Sequence, residues 1–233
     1  MIKLLLALLA SLTFTYAHAD ADKVKASLKK NYAEFENVEQ VYKTDILNLY
    51  EVVMGGQLFY TDEKAQYLVN GVIFDLKTKR NLTEDRSRKL FAVDFDKLPF
   101  ELALKKVKGN GQRKMAYFTD PNCIYCQKLE AELKGIDNIT MHIFLLTNFS
   151  GSAEKVQGVL CSKNPVQAWD DLMLNQAQPP AGTCETNTAK AMEFSKKLNV
   201  NGTPALIFAN GEIVPGFIPA AEIEKALNGT PGK

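Results

Sequence analysis

Two cysteines two residues apart, Cys123-Ile124-Tyr125-Cys126, stand where a strand pattern, Lys114 to Thr119, passes through the turn Asp120-Pro121-Asn122 into a helical pattern, Cys123 to Leu133. No other feature of the 233-residue chain restricts its fold as strongly, because it demands a strand that runs straight into a helix with a thiol at the opening. A cysteine placed there meets unpaired backbone N–H groups and the positive end of the helix dipole. Both favour thiolate over thiol. Cys123 is therefore expected to be the nucleophile, and Cys126 the resolving thiol that attacks a mixed disulfide from within. Ile124 and Tyr125, the intervening dipeptide, are expected to tune the pair.

Two other uses of the motif compete with this one. A zinc site needs about four ligands, yet the chain has only four cysteines and two histidines, no second CxxC, and His142 lies inside a strand pattern. No metal and no cofactor are expected. A purely structural disulfide within CxxC would close almost no loop and so constrain the unfolded chain little. The remaining pair, Cys161 with Cys184, is the natural structural bridge, since four cysteines allow three pairings and the local redox pair leaves these two. Closing a loop of about 24 residues should stabilise the fold by roughly 3 kcal/mol on the chain-entropy model. Trp169, within that loop, reads as a core aromatic, and His142 as a strand residue without catalytic duty. A formal net charge of +1 argues against nucleic acid as a partner.

The first nineteen residues have the pattern of a cleavable export signal: Lys3, an uncharged apolar run from Leu4 to Tyr16, and Ala17-His18-Ala19. That run is too short to span a bilayer, so no membrane anchor is expected. Export places the cysteines where disulfides persist. Residues 20–80 then form an expected N-terminal unit. Its helix, Ala21 to Tyr32, precedes a meander of short strands at Val38–Thr44, Asn48–Val53, Gln57–Thr61, Gln66–Val69 and Val72–Leu76. A sheet of this size buries only a marginal core and needs covering. Asn81 and Glu84 resemble a helix-capping pair and open a helical linker over 81–105, with a short helical pattern continuing through Lys105. Lys105, Lys106 and Lys108 read as a solvated face. The second domain, 106–233, alternates strands and helices, with one helical region from Ser152 to about Gln176 and a closing hairpin at Asn210-Gly211, as an α/β layered domain does. Gly202-Thr203-Pro204 precedes the strand at Ala205, where a cis X-Pro bond fits.

Taken together, Phe118-Thr119-Asp120 before Cys123-Ile124-Tyr125-Cys126-Gln127-Lys128-Leu129, the pair Cys161 and Cys184, Thr203-Pro204-Ala205, and Val214-Pro215-Gly216 after Asn210-Gly211 resemble the thioredoxin fold of the DsbC/DsbG family of periplasmic disulfide isomerases. The resemblance implies a cystatin-like α+β dimerisation domain joined by a helical linker to an α/β thioredoxin domain with a helical insertion. It also implies a V-shaped homodimer that accepts misfolded exported proteins, chaperone activity, and a DsbD-type membrane reductase as partner. Thr203 and a cis Pro204 would face the cysteines. Two departures stand out. Ile124 replaces the family's usual Gly or Pro, and Tyr117 occupies the place where thioredoxins proper keep a buried acid. Asp120 reads as a turn residue. The enzymatic rival is a DsbA-type oxidase, which carries its motif near the mature N-terminus, whereas here about a hundred residues precede Cys123. The non-enzymatic rival is a periplasmic chaperone.

Overall fold

The computed structural model describes residues 20–229, so the expected leader at 1–19 lies outside the described residues. The chain divides into two compact units, Met1–Ser87 and Arg88–Lys233.

In the first unit, helix α1 (20–31) puts Ala21, Val24 and Leu28 on one face, the i, i+3, i+7 spacing of a buried stripe. That stripe packs with Phe35, Val41, Tyr50 and Val52 of an antiparallel meander. Its strands are β1 (Gln40–Lys43), β2 (Tyr50–Met54), β3 (Gln57–Thr61) and β4 (Leu68–Val69), paired in sequence order. Gly55 and Gly56 form the β2–β3 turn with φ of 58° and 72°, which glycine adopts without strain. The fifth expected strand does not join this sheet. It is a two-residue strand β5 (Phe74–Asp75) paired with β6 (Arg80–Asn81), because the Asp75 carboxylate accepts from the Lys77 and Thr78 amides and closes a local hairpin. The sheet therefore ends at β4, with Tyr67, Leu68 and Val69 exposed beside it. Helix α2 (Leu82–Leu90) follows, and Asn81 Oδ1 accepts from the Glu84 amide at 3.1 Å.

The second unit is built on a five-stranded sheet ordered β11-β10-β8-β9-β7. Its strands are β7 (Leu104–Lys108), β8 (Arg113–Thr119), β9 (Ile139–Leu145), β10 (Ala205–Phe208) and β11 (Ile213–Pro215). Only β8 and β9 run parallel. They are linked by α3 (Ile124–Leu133). Alternation along β8 sends Met115 and Tyr117 to one face, against Leu129, Trp169 and Ile223, and Ala116 and Phe118 to the other, against Phe95, Phe144 and Ala191. Helices α4 (Ser152–Leu160), α5 (Pro165–Asn175), α6 (Thr188–Lys197) and α7 (Ala220–Gly229) complete the layers.

Three local expectations are corrected. Residues 104–108, read as the end of a helical pattern and a lysine face, are edge strand β7, in which Lys106 and Lys108 point inward and Val107 outward. Lys106 pairs with Asp170 at 2.5 Å, and Lys108 donates to the carbonyls of Leu133 and Lys134 at the end of α3. Pairing with β9 decides the conformation over the local pattern. Finally, the helical region from Ser152 breaks in two, because Pro165 cannot lie inside a helix but suits its first turn, where Asn164 caps the Gln167 amide.

Candidate active site

Strand β8 ends at Thr119, and the next three residues reverse direction into α3. Cys123 occupies the N-cap of that helix with extended φ and ψ of −86° and 117°. Its carbonyl accepts the first helical bonds, from the amides of Cys126 (3.0 Å) and Gln127 (3.1 Å). Its side chain caps nothing. Instead Cys123 Sγ donates to the Thr203 carbonyl at 3.2 Å, bringing together residues 80 apart in sequence. The Thr203–Pro204 bond is cis, and Pro204 is buried behind it. Cys123 is only 5% exposed, yet Ile124 and Tyr125 beside it are 62% and 54% exposed, with the Lys128 ammonium 5.2 Å from the Tyr125 ring centre.

Cys126 lies on the inward face of α3 with Leu129, Glu130 and Leu133. Both Cys123 and Cys126 are free thiols. Burial pushes the Cys126 thiol up to about 12, and the Thr119 hydroxyl and Asp120 backbone pull it back only in part. The hydroxyls of Thr119 and Thr203 are buried and lack an ordinary hydrogen-bond partner, which leaves them to act on this sulfur. With one thiol at a helix opening and the other held protonated in the core, the pair is asymmetric by construction.

The turn residue Asp120 does more than the sequence reading assigned to it. It is fully buried and its carboxylate accepts from the amides of Asn122 (2.8 Å), Asn148 (2.6 Å) and Phe149 (3.3 Å) and from Ser152 Oγ (2.5 Å). It thereby ties the cysteine turn to the loop after β9 and to the start of α4. Nothing in an Asp-Pro-Asn turn discloses those distant partners.

A second buried carboxylate was also missed. Glu130 Oε1 accepts from Tyr117 Oη (2.6 Å) and Trp169 Nε1 (2.9 Å). Burial pushes the Glu130 carboxyl up, and burial with the adjacent carboxylate pushes the Tyr117 phenol far up. The signal was present, since positions 126, 129, 130 and 133 share one helical face. Trp169 is a core residue, wholly buried. His142, on β9 opposite Lys105 and Ala116, takes no part in the thiol site. It stacks on Phe100 at 3.8 Å, and burial with the Lys105 and Lys114 charges lowers it to about 4.

Cys161 and Cys184 are joined by a disulfide, with Cα atoms 5.6 Å apart. Gln157 holds the far end of this loop by donating to the Cys184 carbonyl at 2.7 Å. Among the described residues, no group of three or more His, Cys, Asp or Glu side chains is placed to hold a metal ion, and no helix is long and apolar enough to cross a membrane.

Residues 100–230 match the model of the thioredoxin-like domain, and residues 15–84 match that of the disulfide bond isomerase protein N-terminal domain. The chain is 39% identical over 208 residues to a probable thiol:disulfide interchange protein DsbC of Bordetella parapertussis, covering 89% of this chain and 74% of that one. Its identity to the Escherichia coli K12 thiol:disulfide interchange protein DsbC is 23% over 218 residues, covering 91% and 89%. Among solved structures, a disulfide interchange protein from Neisseria gonorrhoeae superposes with a TM-score of 0.55 at 30% identity, covering 58% of this chain and all of that one.

Proposed function

Because the chain belongs to the DsbC family of thiol:disulfide interchange proteins, with a thioredoxin-like domain behind a disulfide-isomerase N-terminal domain, we propose that its free cysteines rearrange wrong disulfides in exported proteins. The observation that carries this reading is the asymmetry of the pair: Cys123 at the helix opening, Cys126 buried one turn behind it.

Cys123 is the nucleophile. Its thiolate attacks one sulfur of a client disulfide, forming a Cys123–client bond and releasing the other client sulfur as a thiolate, which takes up a proton. A second client thiolate then displaces Cys123, and the net change is isomerisation without oxidation or reduction. Alternatively Cys126 attacks Cys123 Sγ, releasing the client reduced by two electrons and leaving a Cys123–Cys126 disulfide. In the dithiol, burial pushes the Cys126 thiol up to about 12, so it stays protonated at neutral pH. Client thiols thus compete with Cys126 for the mixed disulfide. Thr203, with its carbonyl on Cys123 Sγ, and Pro204 shape the edge along which client backbone lies.

A homodimer through the first unit belongs to the same proposal. The open edge of β4 and the exposed Tyr67, Leu68, Val69 and Val72 support it, since an unprotected apolar edge invites pairing. The leader pattern and the family support a periplasmic location, chaperone activity toward unfolded clients, and a DsbD-type reductase that returns the pair to the dithiol. Cys161–Cys184 is the structural bridge. The test is reactivation of scrambled ribonuclease in a glutathione buffer. Cys123→Ser should abolish reactivation, whereas Cys126→Ser should keep part of it and accumulate mixed disulfide. Full rescue by Cys123→Ser would sink the enzymatic reading and leave the chaperone.

A further inference from the structure

In the second unit the described large apolar side chains that stand well out in solvent are Val107, Ile124, Tyr125 and Phe149. Val107 is the outward residue of edge strand β7. The other three belong to two segments joined through the Asp120–Asn122 turn that leads into the nucleophile. Ile124 and Tyr125 open α3, and Phe149, 49% exposed, sits in the loop after β9. That loop is cross-tied to the cysteine turn. The Phe149 amide donates to Asp120, the Asn122 side chain donates to the Ser150 carbonyl at 2.7 Å, and the Ser152 amide donates to the Phe149 carbonyl at 3.2 Å. Backbone order of this kind holds a side chain in place without burying it. Neither Ile124 nor Phe149 is needed to fill a core, since each leaves about half or more of its surface in water.

A client sulfur must arrive in line with Cys123 Sγ, so the residue next to the client half-cystine passes over whatever flanks Cys123. We propose that Phe149, with Ile124, forms a subsite for an apolar side chain adjacent to the client cysteine, making these two residues determinants of client choice. The inference rests on the disulfide-exchange reading and deepens it. Wrong disulfides in misfolded chains join cysteines that belong in the core, whose neighbours are apolar. Leucine- or phenylalanine-flanked half-cystines are thus the substrate class that the pair selects.

The test uses Cys126→Ser protein, which traps the intermediate, and two short peptides of equal charge. In one, leucine flanks the cysteine; in the other, serine does. Each is supplied as its own symmetric disulfide, so coupling forms one Cys123–peptide bond, breaks one peptide–peptide bond and releases one peptide thiolate. The leucine peptide should couple about tenfold faster, the factor expected for covering on the order of 60 Å² of apolar surface. Adding Phe149→Ser should bring the ratio of rates to within about twofold, and Phe149→Leu should keep most of it. The ratio is taken on one protein preparation, so a general loss of activity cannot imitate the result. Equal rates in the Cys126→Ser protein, or an undiminished ratio after Phe149→Ser, would overturn the subsite while leaving disulfide exchange intact. Failure of both peptides to couple to Cys123 would overturn the exchange reading and the subsite with it.

Discussion

Two helices in the second unit use cysteine in opposite ways, one at its opening and the other at its end. At α3, Cys123 and Cys126 are three positions apart, unbonded and both buried, one at the helix opening and the other on its inward face. Beyond α4, Cys161 and Cys184 are 23 positions apart and bonded, tying an extended loop back to the helix that Cys161 ends. A short pair constrains the unfolded chain little and is free to cycle; a long one constrains it substantially and gains nothing by opening. The rigidity that the first pair cannot supply comes from carboxylates. Asp120 ties three segments around the thiols, and Glu130 fastens α3 to β8 and α5 through Tyr117 and Trp169.

This contrast can be broken at either end. The largest effect is expected for Asp120→Ala, which strands four donors around the cysteine turn and should cost on the order of 4 kcal/mol. Hydrogen exchange should quicken at Asn122, Asn148 and Phe149, while the Cys161–Cys184 bond stays intact. Unchanged protection at those amides would mean that the turn is rigid without its carboxylate. Next comes Cys161→Ala with Cys184→Ala, expected to lower stability by about 3 kcal/mol in urea unfolding. Cys123 should still couple to peptide disulfides at the original rate, and a collapse of that coupling would merge the two duties into one. In the unaltered protein, mild reduction and alkylation should label Cys123 before Cys161 or Cys184.

The smallest effect concerns His142. Above about pH 6.5 it is neutral whether the chain is folded or not; below that the unfolded chain takes up a proton that the buried ring refuses until about pH 4. Stability should therefore fall as pH drops through that window, and His142→Phe should flatten the fall. Parallel curves for both proteins would show that the ring is solvated more than its stacking on Phe100 suggests.

Much of this architecture was legible in the chain because it is written locally. Period-two and period-four patterns located β1 to β3, β8 to β10 and most helices, and Asn81 disclosed the cap of α2. What escaped depended on partners remote in sequence. Strand β7 is a strand because β9 pairs with it, and Lys106 turns inward because Asp170 waits there. Asp120 gave no hint of Asn148 or Ser152, about thirty residues away. Glu130 is different: its helical position beside Leu129 and Leu133 marked it as buried, and only its charge discouraged that reading.

Each bonded or bondable cysteine has as its partner the next cysteine along the chain: 123 lies beside 126, and 161 is joined to 184. A polypeptide threaded N-terminus first into an oxidising compartment presents its thiols in that same order. Joining each thiol to its neighbour in that order closes Cys161–Cys184 without crossing it with the earlier pair, which is then free to be reduced to the dithiol. The bridge that fastens the loop can thus form with a simple oxidant, whereas the working pair still needs a reductant to open it.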